Sequence, residues 1–142
     1  MTQSTIKATN QVVARVLLSA IFITSGLSKI SAYEGTQGYM EAMGVPGALL
    51  PLVIMTEVIG GLFVLLGFKT RYAAFLLAGF SILSGILFHF NLSDQIQTIM
   101  LMKNFTIAGG LLLLVSGETH TWSVDQKLTG NKATSASANA LA

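Results

Sequence analysis

The sequence predicts an all-α protein, a four-helix transmembrane bundle with both termini cytoplasmic, and three observations predict it. Of 142 residues, 52% are hydrophobic and 10% charged. With a mean hydropathy of +0.69, that leaves too little polar surface to wrap a soluble core. Four apolar runs, 12–30, 49–67, 72–90 and 97–117, can each cross the roughly 30 Å hydrocarbon layer as a helix of about 20 residues. Finally, the basic residues segregate. With four spans, Lys7, Arg15, Lys69, Arg71, Lys127 and Lys132 fall on one side and Lys29 alone on the other, and the excess of lysine and arginine marks the cytoplasmic side.

Composition also excludes. The absence of cysteine removes disulfides, a thiolate nucleophile and Cys-ligated metals or iron–sulfur clusters, so redox chemistry here would need a borrowed or diffusible cofactor. Although the nominal pI is about 9.1, the net charge is only +2 and the basic residues stand singly. That pattern argues against a nucleic-acid partner. The length makes one membrane domain, 12–127, between a leader, 1–11, and a tail, 128–142.

Taken in order, residues 1–11 are polar with one lysine and read as a mobile leader. The first span, VVARVLLSAIFITSGLSKI, imitates a signal peptide, but its length and Lys29 spoil a cleavage site. Arg15 lies one turn inside its start and Lys29 just inside its end, where long cationic chains snorkel to headgroups. Residues 31–48 are polar and glycine-rich. Within them 36–43 suits a short helix closed by Gly44 and stopped by Pro46, and Tyr33, Tyr39, Met40 and Met43 suit headgroup level; an ordinary loop fits equally well. The second span, 49–67, carries one charge, Glu57, near its middle. The FKTR turn, with Lys69 and Arg71, is so short that spans two and three are antiparallel neighbours. The third span ends with His89, and the loop 91–96 holds Asp94. The fourth carries Lys103 and Asn104 inside its apolar run. The ending GNKATSASANALA is low-complexity and reads as disordered.

A lone carboxylate at the membrane midplane costs at least about 2.5 kcal/mol and calls for a partner or a pathway. Lys103 lies about 9 Å and Glu57 about 12 Å below the outer boundary, counting 1.5 Å per residue. Lys29 and His89 sit at the outer ends of their helices. If these groups face inward, Glu57 pairs with Lys103, Lys29 reaches down and His89 stands at the mouth. The plainer reading is that the charges only fix helix register. Gly60, Gly61, Ser81, Gly85, Gly109 and Gly110 are close-packing positions. A bis-histidine haem needs ligands at matching depth, and the second histidine, His120, falls on the cytoplasmic side. No metal site is expected, since one histidine and one carboxylate complete no usual ligand set.

The combination of Arg15, FITSGLSK ending at Lys29, the loop GTQGYMEAMGVPG, Glu57 ahead of Gly60 and Gly61, GFKTR, His89 and MKNFTIAGGLLLL resembles the DoxX family over about Val12 to Lys127. The resemblance implies a multi-pass protein of the bacterial inner (plasma) membrane. Family members with assigned roles are membrane subunits of quinone-linked sulfur oxidation, or partners of redox enzymes. It therefore implies a quinone-linked oxidoreductase subunit with no intrinsic cofactor, in contact with the lipid bilayer, a quinone, a redox-enzyme partner or a second copy of itself. The family's polar positions fall on Arg15, Lys29, Glu57, Arg71, His89, Lys103 and Asn104. In that reading Glu57 relays protons, Lys103 or His89 donates to a quinone carbonyl, and Lys29, Asn104 and Arg15 complete the binding site. Two alternatives stay open: a carrier of a small solute or protons, for which four helices would need a dimer, and a scaffold or assembly subunit without catalysis.

Overall fold

The structure, a computed structural model, describes residues 2–117 and 123–129. It consists of α1 (Gln3–Ser31), α2 (Tyr33–Ala42), a 3₁₀ turn (Gly47–Leu49), α3 (Leu50–Leu66), α4 (Thr70–His89) and α5 (Gln95–Ser116). Among the described residues there is no strand. Four helices, α1, α3 with its 3₁₀ lead-in, α4 and α5, are long and apolar enough to cross a membrane. They alternate in direction, so the bundle has an α2 end and a turn end, the latter holding the α3–α4 turn.

Span boundaries fall close to those expected, with one large difference. α1 starts at Gln3, where the Thr2 side chain accepts from the Thr5 N–H, so the expected leader is helical from its third residue. The helix expected over 36–43 runs instead over 33–42. It closes at Gly44, whose φ of 77° is the left-handed conformation glycine adopts most readily, as the Val45 N–H reaches back to Met40 O at 2.9 Å. Because Met40 is buried and the Tyr39 ring stacks 5.6 Å from Phe88, α2 lies over the bundle rather than looping away from it. The expected disordered tail falls almost wholly outside the described residues, as do Lys132 and His120.

α1 buries Ala8, Arg15, Ser19, Phe22 and Gly26, and α3 buries Leu50, Glu57, Gly61 and Val64. Steps of seven, four and three are the spacing of a left-handed interlocking seam. Gly61 makes it tight: a Cβ there would stand 2.8 Å from Ile23 Cγ1 and 3.3 Å from Ser19 O. On the other side α4 lies along α5. There the Ser81 hydroxyl, donating to Asn104 O at 3.0 Å or to its Oδ1 at 3.1 Å, ties the two helices together. Phe22, Val64, Ala74, Leu77, Ala108 and Leu111 form the common core. The α1–α3 and α4–α5 contacts are extensive, whereas α3 meets α4 less closely. Outward positions such as Leu17, Leu76 and Leu113 are exposed, as expected of helices whose solvent is lipid.

At the turn end the chain reverses through Gly67 (φ 70°) and Lys69 (φ 45°). Asp125, from far along the sequence, caps the start of α4. Its carboxylate accepts from the N–H groups of Lys69 at 3.0 Å and Thr70 at 3.4 Å, and its own N–H donates to Gly67 O. Arg71 donates to Gly117 O at 3.0 Å. Arg15, expected to snorkel, is 3% exposed, with its guanidinium against Gly67 and Ser123. The reason is that α1 begins at Gln3, about two and a half turns before the expected start, so residue 15 is not near a helix end.

Candidate functional site

The seam between α1 and α3 builds the charged site. Gly26 lets the two backbones approach; a Cβ there would lie 2.6 Å from Val58 Cγ2 and 3.2 Å from Glu57 Cβ. Ser25 and Lys29, one turn apart on α1 and so on one face, thereby flank the Glu57 carboxylate. Lys29 Nζ lies 2.9 Å from Glu57 Oε2 and donates to Oε1 at 3.0 Å and to Ser25 Oγ at 2.6 Å. The Ser25 hydroxyl is 3.2 Å from the same Oε1. The three groups close a triangle in which the Glu57 side chain is 6% exposed and that of Lys29 24%.

Glu57 therefore pairs with Lys29 and not, as its depth suggests, with Lys103. Asn104 faces α4 through Ser81, and neighbouring helical residues point about 100° apart. That rotation leaves Lys103 on the exposed face of α5, with no ion-pair partner among the described residues. Accordingly, Lys103→Met is expected to keep stability in detergent within about 0.5 kcal/mol of the parent or raise it, as for exposed positions generally. A loss as large as that of Lys29→Met in a thermal unfolding assay would contradict this placement.

Beside the triangle, a cavity of about 350 Å³ opens between α3 and α4 under α2. Lys29 and Glu57 form its polar wall, Tyr39 and Met40 its cover, and Leu52, Phe80 and Leu83 its apolar sides. His89 also lines it, its ring fixed by an Nδ1 to Gln97 Oε1 contact of 2.8 Å. A largely apolar hollow of this size with a few convergent polar groups is the usual form of a small-ligand site.

Of the six residues the sequence nominates, the fold thus gathers Lys29, Glu57 and His89. Asn104 is spent on the α4–α5 contact. Arg15 lies level with Gly67, ten residues from Glu57 along α3 and so about 15 Å away. Ser25 escaped the sequence reading; its signal was the four-residue spacing to Lys29 within SGLSK. No cluster of three or more metal-ligating side chains occurs among the described residues.

Comparison with known proteins adds the following. The DoxX family model matches residues 11–90, a stretch that includes Ser25, Lys29, Glu57 and His89 but not Lys103 or Asn104. The chain is 52% identical over 116 residues to the inner membrane protein YqjF of Escherichia coli (strain K12), covering 82% of this chain and 89% of that protein. It is 30% identical over 122 residues to the inner membrane protein YphA of the same organism, covering 81% and 87%. It is 32% identical over 91 residues to a Bacillus subtilis (strain 168) protein named "Putative oxidoreductase CatD", covering 64% and 60%. No solved structure matches.

Proposed function

From the premise that the chain belongs to the DoxX family and is a multi-pass inner-membrane protein, we propose that it is the membrane subunit of a redox system and that its cavity receives a quinone headgroup from the lipid. The observation that carries this reading is a lysine–carboxylate pair, its carboxylate buried, forming the charged wall of a largely apolar cavity of about 350 Å³. Ionisable groups within a membrane are costly and usually mark a binding site or a proton route. The name of the Bacillus relative points the same way.

The residues present fit such a group. A quinone headgroup is an apolar ring with two carbonyl acceptors, and when bound it supplies two-electron, two-proton redox chemistry. Lys29, with three N–H donors, reaches the cavity from the pair and offers a hydrogen bond to an acceptor. His89, whose Nδ1–H donates to Gln97 Oε1, presents Nε2 to the cavity as an acceptor, which suits the hydroxyl of the reduced, quinol form. Glu57 is acceptor-only when ionised and a donor when protonated, so it can hold a proton and exchange it with Lys29 or with a ligand. Its burial excludes bulk water, so a proton reaching it must come by way of Lys29 or the cavity. By the distribution of basic residues, the α2 end faces the periplasm in this proposal.

The test is mass spectrometry of small molecules that copurify with the protein in mild detergent. A quinone retained by the parent and lost from Glu57→Gln is the expected result. A parent protein that carries no quinone would overturn the reading, and uptake of a solute by proteoliposomes that collapses with the proton gradient would favour a carrier instead.

A further inference from the structure

Resting on that reading, we infer that the site takes a long-tailed amphiphile, whose chain lies in a second cavity along the seam between α3 and α4. This cavity, of about 360 Å³, is lined by Ile59, Gly60, Phe63, Tyr72 and Leu76 among others. Thr56 lines both cavities, so the two are adjoining parts of one groove. On α3 the lining passes from Leu52 and Thr56 to Ile59 and Phe63. On α4 it passes from Leu87, Leu83 and Phe80 to Leu76 and Tyr72. Steps of three and four residues keep each set on one helix face.

The groove exists because α3 and α4 are joined less closely than α1 and α3 or α4 and α5 and because Gly60 places no side chain in it; a Cβ there would come within 3.0 Å of Leu77 Cδ2. Its polarity is graded. The charged pair stands at the α2 end, and from Thr56 to Phe63 the α3 wall is apolar over about 10 Å at 1.5 Å per residue. Only at the turn end do Lys69 and Tyr72 appear. A ligand with its polar ring held beside Lys29 and Glu57 would have one apolar path continuous with that position. Since lipid tails are as apolar as the groove, no hydrophobic force drives a chain into it. The groove selects by shape, and the fixed headgroup directs the chain's first 10 Å or so along it.

The experiment compares two probes on protein in lipid nanodiscs: 2,3-dimethoxy-5-methyl-1,4-benzoquinone and the same ring bearing a decyl chain. Ile59→Trp and Leu76→Trp fill the groove from its two walls at positions that are 47% and 66% exposed, so neither disturbs the core. Each is expected to weaken the decyl probe about tenfold, equivalent to about 1.4 kcal/mol, while leaving the tailless probe unchanged. Partitioning into lipid is the same for parent and variants and cancels. Equal affinity of the decyl probe for all three proteins would overturn the tail path, ordinary lipid chains then being what fills the groove, while tailless binding that is lost in Glu57→Gln would still support the headgroup reading. Failure of the tailless probe to bind the parent would overturn both.

Discussion

Lys29→Met is expected to destabilise the bundle by about 3–5 kcal/mol, the range for removing one partner of a buried ion pair. It strands the Glu57 carboxylate, whose side chain is 6% exposed, with only the Ser25 hydroxyl as a hydrogen-bond partner. The carboxylate must then stay charged in an apolar wall or take up a proton. Glu57→Gln should cost less, because the Lys29 side chain is 24% exposed and can turn toward the cavity. The double variant, with neither charge, should recover most of the loss, since the penalty comes from leaving one charge alone rather than from losing the pair's attraction. Thermal or denaturant unfolding in one detergent gives the full cycle. If the two single losses simply add, direct coupling between Lys29 and Glu57 is wrong.

Gly67→Val is expected to prevent folding or to lower stability more than any other glycine substitution at a turn. Its backbone is left-handed, with φ 70°, which costs a residue with a Cβ about 1–2 kcal/mol. In addition, a Cβ would occupy the place of the Arg15 guanidinium and stand 2.5 Å from Ser123 Cβ. Displacing a buried cation from its site is costly in itself. Gly44 separates the two effects: its φ of 77° is similar, yet nothing lies within 4 Å of a Cβ there. Gly44→Ala should therefore lose only the backbone part, and Gly67→Ala clearly more. Equal losses in unfolding midpoint would show that the Arg15 contact contributes nothing.

Arg15 and Lys103 show what a linear reading misses. Both are lone cations within apolar runs, and the sequence treats Arg15 as a headgroup anchor and Lys103 as the partner of Glu57. The fold reverses their surroundings, burying Arg15 beneath the α3–α4 turn and turning Lys103 outward. Asp125 is a similar case, because no local pattern announces that it caps a helix beginning more than fifty residues earlier.

The sequence by itself determined the number of membrane-long helices, their bounds to within a few residues except at the start of α1, and their alternation. Those are properties counted along one chain: apolar run length against membrane thickness, and rise per residue. Only the tertiary structure decided which charges meet. Facing direction depends on which helices are neighbours and how each is rotated, and that is set by close approach at Gly26 and Gly61, where a missing side chain on one helix matters only once the other lies against it.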